Sequence, residues 1–378
     1  MGERPTIYKE IVDYIEGGIN AGRFDTSRRL PSDMELARKF DTSRPTVVRA
    51  MLDLQGRGII ERRTGSGTYI RSAPAERTAT RGATVGLIVA GLGNTEILDP
   101  ICAELGHSAE SKGYIVLRGD AKLAEPGASD YSPQQARALA ANYVSRNVDG
   151  VFFAPLELPD DRNAVNQEIV EALASAGIAV VLLDRDIVEF PGRSDYDIVG
   201  IDNFTAGYLL GDHVACQGYR EVRFTARPSY PATTDLRLAG VREALLRHGL
   251  PGARLGPHVG DPGDPGFVES LVGDGGADAV ICSNDRTAAM LMQTLSVLGV
   301  RVPDAMAVAG FDDVRYATLL SVPLTTMRQP CRDIGVAAVE LMADRLAERK
   351  RTTRSVQLPA QLVVRASTSG PRLPRNQV

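Results

Sequence analysis

The side chains in this sequence best suited to chemistry are carboxylates, amides and guanidinium groups set at the ends of apolar runs. Asn94 follows closely on "TVGLIVAG", Asp184 and Arg185 end "IAVVLLDR", Asp202 and Asn203 end "DIVGIDN", Asn284 and Asp285 end "DAVICSND", and Asp312 and Asp313 end "MAVAGFDD". Arg237 lies in "LRLAGVREAL" and Gln329 closes "PLTTMRQ". A carboxylate only accepts hydrogen bonds, a guanidinium donates them in a fixed fork, and an amide does both. Together they match a ligand whose every hydroxyl both donates and accepts, such as a small polyol. Each acid or amide at a strand end could equally cap the helix that follows, because the helix N-cap and the ligand-facing end of a strand coincide in parallel α/β units.

Those positions presuppose the elements that carry them. Continuous Val, Ile, Leu and Phe without polar alternation, as in "VDGVFFAP" and "IAVVLLD", is the pattern of strands covered by helices on both faces. Helical stretches such as "PQQARALAANYVSR", "IVEALASAG" and "RTAAMLMQTLSVLG" fall between the runs, and several end in Gly, a left-handed C-terminal cap. Eight such runs between residues 84 and 313 are too many for one sheet, so two parallel sheets are expected. A chain of 378 residues also exceeds one ordinary core.

The front of the chain is different. Residues 1–71 hold 13 Lys and Arg against 10 Asp and Glu, a net +3 within a chain of net charge −4, so only this part is basic. Ile7, Ile11, Tyr14, Ile15 and Ile19 give an apolar stripe near the helical period over residues 7–24. Ser32 with Glu35 predicts a capping box for "DMELARKF", and Ser43 predicts the cap of a third helix with Pro45 in its first turn. In that helix Val47, Ala50, Met51 and Leu54 face inward, which leaves Arg44, Thr46 and Arg49 near the start or the outer face. A short helix dressed this way can enter a major groove: hydroxyls and backbone N–H groups meet phosphates, and an Arg reaches guanine. "GIIERRTGSGTYI" then predicts a hairpin with a Gly-rich tip, a wing. A protein-interaction module with merely solvated arginines would not need cap, turn, arginines and Gly-rich tip in this order.

Residues 4–71 resemble the winged helix-turn-helix of GntR-type transcription regulators, carried by "RRLPSDMELARKFDTSRPTVVRAMLDLQGRGIIERRTGSGTYI". The resemblance implies DNA contacts by Ser43, Arg44 and Thr46 in the recognition helix and by Arg63, Gly65 and Gly67 in the wing. The chain has Val48 where the family usually has Arg, with Arg49 one step around the helix as a further contact. From about residue 84 to 368 the chain resembles the LacI/GalR-type effector domain, which shares its fold with periplasmic sugar-binding proteins. "IDNFTAGYLLGDHVACQGY", "LRLAGVREAL", "ICSND", "VPDAMAVAGFDD" and "PLTTMRQP" follow the family order. That resemblance implies effector contacts by Asn94, Asp184, Arg185, Arg237, Asn284, Asp312 and Gln329. Glu96 and Ile97, and later Pro262, stand where relatives usually place aromatic rings. Glu96 is therefore both a candidate for an extra ligand hydroxyl and a candidate surface residue. The head-and-sensor combination resembles the arabinose-responsive repressors.

The expected fold class is α/β: a small N-terminal winged helix-turn-helix domain followed by a two-lobed, doubly wound parallel-sheet effector domain like periplasmic binding proteins. The expected boundaries are 1–71 for the DNA-binding domain, 72–83 for a linker, 84–368 for the effector and dimerisation domain, and 369–378 for a tail. Lobe one would take 84–201 with 331–357, and lobe two 202–330 with 358–368. The expected function is a repressor of carbohydrate uptake or catabolism genes. It would bind a pseudo-palindromic operator in double-stranded DNA as a homodimer, under control of a small carbohydrate. A nucleoside, sugar acid or polyol effector is an alternative, and a sugar-processing enzyme another. The enzyme has little support: "VAGLGNTE" puts Glu96 where a dinucleotide fingerprint needs its third Gly, and GxxxxGK[ST] is absent. No signal peptide or spanning segment is read, which gives an expected cytoplasmic location without a membrane partner. Cys102, Cys216, Cys282 and Cys331 lack metal or disulfide spacing and read as mostly buried small hydrophobes. His107, His213, His248 and His258 are as scattered, so neither metal nor cofactor is expected.

Overall fold

The computed structural model describes residues 7–20, 30–56, 60–63, 67–70, 82–89, 96–118, 133–157, 162–228, 230–251, 255–273 and 276–369. The chain divides into two compact units, Met1–Arg81 and Gly82–Val378.

The first unit has three helices, α1 (Ile7–Asn20), α2 (Asp33–Lys39) and α3 (Arg44–Gly56), and a hairpin of β1 (Ile60–Arg63) and β2 (Gly67–Ile70). Ile11, Ile15, Leu36, Val47, Ala50, Met51 and Leu54 are wholly buried and form its centre. Ile7, expected in the same stripe, is 42% exposed, because the buried face of α1 starts one turn later, at Ile11. The capping box is present: Glu35 N–H donates to Ser32 Oγ at 3.3 Å and Ser32 N–H donates to Glu35 Oε2 at 2.7 Å. The antiparallel hairpin pairs Arg63 with Gly67 across its tip.

The second unit holds two six-stranded sheets. In one, β3 (Thr84–Val89), β4 (Ile115–Arg118), β5 (Gly150–Ala154), β6 (Ala179–Leu183), β7 (Asp197–Ile201) and β13 (Ser355–Leu358) run parallel in the order β4-β3-β5-β6-β7-β13. In the other, β8 (Val222–Ala226), β9 (Pro257–Val259), β10 (Ala279–Cys282), β11 (Ala307–Asp312) and β12 (Thr325–Arg328) are parallel, and β14 (Gln361–Val363) joins the β12 edge antiparallel. The helices are α4 (Leu98–Ser111), α5 (Pro133–Ser145), α6 (Arg162–Ser175), α7 (Asn203–Cys216), α8 (Thr233–Arg247), α9 (Pro265–Val272), α10 (Asp285–Val297) and α11 (Cys331–Ala347). The chain passes from one sheet's layer to the other three times: after β7, after β12 and after β13.

Both sheets have the same doubly wound order, with a switch point between β3 and β5 and another between β8 and β10, and such switch points open a crevice at the carboxyl ends of the strands. The strands at these centres are sealed on both faces: every residue of β5, β6 and β10 is buried. Two features hold the frame. Gly207 of α7 and Gly240 of α8 bring those helices into backbone contact, since a Cβ on either would lie 2.0 Å from a carbonyl oxygen of the other helix. Asp197, wholly buried at the start of β7, accepts from Arg345 Nε at 2.8 Å, Arg351 Nη2 at 2.8 Å and the Arg354 N–H at 2.7 Å, tying α11 and the approach to β13 onto the first sheet.

Candidate functional site

On the first sheet the site begins at the end of β6. Asp184 has a left-handed backbone, φ +67°, and Gly200 on β7 leaves the room for it: a Cβ there would lie 2.9 Å from the Asp184 carbonyl oxygen. Arg185 follows and is buried. Its guanidinium lies 2.9 Å from Asp184 Oδ2 and also pairs with Glu157, which stands just past β5. Two carboxylates therefore hold this guanidinium and keep it charged and fixed in the wall.

On the second sheet Arg237, in the second turn of α8, is 95% buried with its Nε and Nη1 engaged. Its Nε donates to Asn203 Oδ1 at 2.8 Å and its Nη1 to the Ser283 carbonyl at 2.7 Å, and its guanidinium carbon sits 4.7 Å from the Phe311 ring centre. Nη2 lies 3.9 Å from Asp312 Oδ1. Asp312 ends β11 with φ +110°, a second left-handed acid at a strand end; unfavourable backbone of this kind concentrates at sites that need a side chain aimed in one direction. Gln329, beyond β12, donates from Nε2 to Asp312 Oδ1 at 2.8 Å.

Charges from the two sheets feel each other. Burial raises the Asp312 carboxyl above the ordinary carboxylate range, Arg237 and the Gln329 hydrogen bond oppose the rise, and Asp184 and Glu157 from the other lobe add to it. Burial pushes the Cys331 thiol up to about 12, with contributions from both Asp312 and Asp184. Asp184, Arg185, Arg237, Asp312 and Gln329 thus converge between the sheets. Asp184 Oδ1 and Gln329 Oε1 are among the buried polar atoms of the described residues that have no hydrogen-bond partner, as are the Thr233 and Thr234 hydroxyls at the start of α8. Buried polar atoms are nearly always paired, so each marks where a partner belongs.

Other candidates fall elsewhere. Asn284 is the N-cap of α10, its Oδ1 accepting from the Thr287 N–H at 2.9 Å, which leaves its NH₂ to serve a ligand. Asp202 caps α7, accepting from the Thr205 N–H at 2.9 Å. Asp285 is wholly buried and braces the fold, accepting from Thr326 Oγ1 at 2.6 Å and the Val314 N–H at 3.0 Å. Asp313 pairs with Arg328 at 2.6 Å and Arg365 at 2.5 Å. The Tyr316 hydroxyl's ionisation is pushed up by burial and by the nearby Glu96 carboxylate. The two residues line a cavity of about 700 Å³ with Arg286, Met290 and Leu320.

In the first unit Arg44 opens α3 and is exposed, and Ser43 Oγ lies 2.9 Å from Thr46 Oγ1, a hydroxyl pair at the helix start. Arg49 is exposed but its guanidinium carbon lies 5.6 Å from the centre of the Tyr8 ring on α1, so the side chain is drawn back along its own domain. Gly67 opens β2. Asn94 and Gly65 lie outside the described residues, as does the side chain of Arg63.

Comparison with known proteins decides what these two units are. Residues 7–70 match the family model of bacterial regulatory proteins of the gntR family, and residues 212–368 match that of the periplasmic binding protein-like domain. The chain joins a gntR-family DNA-binding domain to a periplasmic binding protein-like domain. It is a transcription regulator. The regulator is 25% identical to the arabinose metabolism transcriptional repressor of Geobacillus stearothermophilus, over 96% of this chain and 97% of that one. Among solved structures it shares its fold with a LacI family regulator from Enterococcus faecium with bound ribose, at 20% identity and a TM-score of 0.62 over 76% of this chain and 100% of that one. A complex of the regulator CelR with cellobiose, at 22% identity, aligns with a TM-score of 0.63 over 96% and 100% of the two chains.

Sequence reasoning missed the residues that position the regulator's key groups. Glu157 had no signal, because an exposed Glu is the default. Asn203 was visible only as one of a polar pair, and the Ser283 carbonyl is backbone, silent in any sequence pattern.

Proposed function

We propose that this regulator represses genes of carbohydrate metabolism and that its effector is a monosaccharide of pentose size, held between the lobes by Asp184, Arg185, Arg237, Asn284, Asp312 and Gln329. The observation that carries the reading is the pair of orphaned buried acceptors, Asp184 Oδ1 and Gln329 Oε1, beside the Asp312 carboxylate and the Arg237 and Arg185 guanidinium groups. Sugar hydroxyls supply donors to the acceptors and accept from the guanidinium edges and the Asn284 NH₂. The arabinose repressor and the ribose-bound regulator favour a pentose over a nucleobase, and the scarcity of rings beside the first sheet favours a polar ligand.

In this reading the ligand bridges two lobes joined by three chain crossings, and it acts by its difference in affinity for the closed and open cleft. A homodimer then presents two α3 helices to successive half-sites, with Ser43, Arg44 and Thr46 at the DNA. Two linked heads gain from effective concentration, which suits a modest charge of +3 per head. The Val297 and Leu319 side chains, 78% and 80% exposed on the second lobe, are apolar surface for such a contact. Among the described residues no helix is long and apolar enough to cross a membrane.

A thermal-shift screen of the full chain against pentoses, hexoses, sugar acids and polyols tests the effector class. Ligand at a hundred times its Kd adds about 2.7 kcal/mol to the stability of the state that binds it. A shift confined to one pentose supports the reading; shifts only with sugar acids or nucleosides refute the sugar assignment.

A further inference from the structure

Separate from the cleft, at the far ends of α7 and α8, three metal-ligating side chains meet. Asp212 and Cys216 stand one turn apart on α7, and His248 is the C-cap that follows α8. His248 Nε2 lies 2.7 Å from Asp212 Oδ1 and 3.9 Å from Cys216 Sγ, and that sulfur lies 4.0 Å from Asp212 Oδ2. All three ligand atoms fall within 4.8 Å of one another. No spacing pattern announces this cluster, since Cys216 and His248 are 32 residues apart, and Cys216 is exposed, not a buried hydrophobe.

The geometry excludes a nucleophilic relay. In a relay the carboxylate holds one imidazole nitrogen and the thiol the other, whereas here the same Nε2 faces both. Three different donors aimed at one point are what a metal ion requires. Tetrahedral Zn²⁺, with bonds of about 2.0–2.3 Å, sets its donors about 3.3–3.6 Å apart. Reaching that arrangement takes an outward move of the carboxylate and an inward move of the thiolate of about half an ångström each, within the range of side-chain torsions. The backbone needs no change, because Gly207, Gly211 and Gly240 already hold the two helices against each other; a Cβ on Gly211 would lie 3.0 Å from Val241 Cα.

We propose that Asp212, Cys216 and His248 form a binding site for a thiophilic divalent transition-metal ion of the Zn²⁺ class, with water as the remaining ligand. One thiolate, one imidazole and one carboxylate select Zn²⁺ or Co²⁺ over Mg²⁺ and Ca²⁺, which prefer all-oxygen shells. Cys216 is exposed and Asp212 and His248 are partly so, which gives the ion and its water direct access. A bound ion pins the C-terminal ends of the same helix pair that bears Asn203 and Arg237 near its N-terminal ends, about 20 Å away at 1.5 Å per residue.

Titration of the reduced full chain with Co²⁺ tests the site. The expected result is one equivalent bound, with a near-ultraviolet thiolate-to-cobalt charge-transfer band that Zn²⁺ abolishes on displacement. Cys216→Ser removes the band. His248→Gln weakens binding by at least about tenfold, since even partners one shell further out cost about 10–100-fold. Circular dichroism melts establish that both exposed-site variants fold. Absence of a thiolate band in the folded parent chain, or a band that survives Cys216→Ser, overturns the proposal. The sugar screen reads a different pocket, so either result stands without the other.

Discussion

Replacing Arg237 by Met keeps the length and apolar stem of the side chain against Phe311 and removes the guanidinium. The structure sets the size of the effect. Two short hydrogen bonds are lost, to Asn203 Oδ1 at 2.8 Å and to the Ser283 carbonyl at 2.7 Å. Bonds to a charged donor contribute about 1.5–3 kcal/mol each, so roughly 3–6 kcal/mol is removed. Dispensing with a buried cation returns several kcal/mol of desolvation. The net loss expected at neutral pH is about 1–3 kcal/mol. Asp312 makes this loss depend on pH. Its carboxyl is already raised by burial, and Arg237 is the largest influence opposing that rise. An acid whose folded pKa lies above its unfolded value binds its proton more tightly when folded, so its contribution to stability falls as pH rises from the ordinary carboxylate range through the raised value. Without Arg237 that window extends further upward. The deficit of Arg237→Met should therefore be smaller near pH 4, close to the ordinary carboxylate value, than near pH 7. Urea unfolding of the parent and the variant, followed by circular dichroism at both pH values, measures it. A deficit that is independent of pH, or larger in acid, would refute the coupling of Arg237 to Asp312.

Other substitutions probe the frame around the cleft. Gly207→Ala places a methyl group 2.0 Å from the Arg237 carbonyl oxygen; overpacking of this kind costs about 1–3 kcal/mol, and the displaced α8 should also weaken sugar binding. A variant with parental melting temperature and sugar affinity would show that the helix contact is slack. Tyr316→Phe deletes the hydroxyl whose ionisation the Glu96 carboxylate raises. A hydrogen bond formed between the two on sugar binding contributes about 0.5–1.5 kcal/mol, so its loss weakens sugar affinity roughly 2–12-fold by isothermal titration. Unchanged affinity would mean that the pair does not latch the cleft.

The legibility of this fold has a physical pattern. Strands buried on both faces, such as "VDGVFFAP" and "IAVVLLD", announce themselves because nothing polar can be spared there, and they gave the two-sheet α/β class directly. Two edge strands did not: "SVQL" alternates exposed with half-buried residues, and "PHV" spans only three residues, so both look like loop until a neighbouring strand pairs with them. The inner face of α3 was readable from Val47 to Leu54 because it follows the helical period. At the cleft, residue type and position pointed to Asp184, Arg237 and Asp312, but neither the left-handed backbone of the two acids nor the capping role of Asn284 has a signature in one sequence. Glu157, Tyr316 and the meeting of Cys216 with His248 depend on chain segments brought together only by folding.

The central claim is that one part of this regulator reads DNA and a separate cleft decides when. A paired substitution tests it most directly, using a duplex selected from a random pool by the parent protein and the sugar identified by thermal shift. Arg44→Ala should lose duplex binding while binding sugar with parental affinity, and Asp312→Ala should bind the duplex but no longer respond to sugar. Loss of both activities in either folded variant, or a normal sugar response in Asp312→Ala, would contradict it.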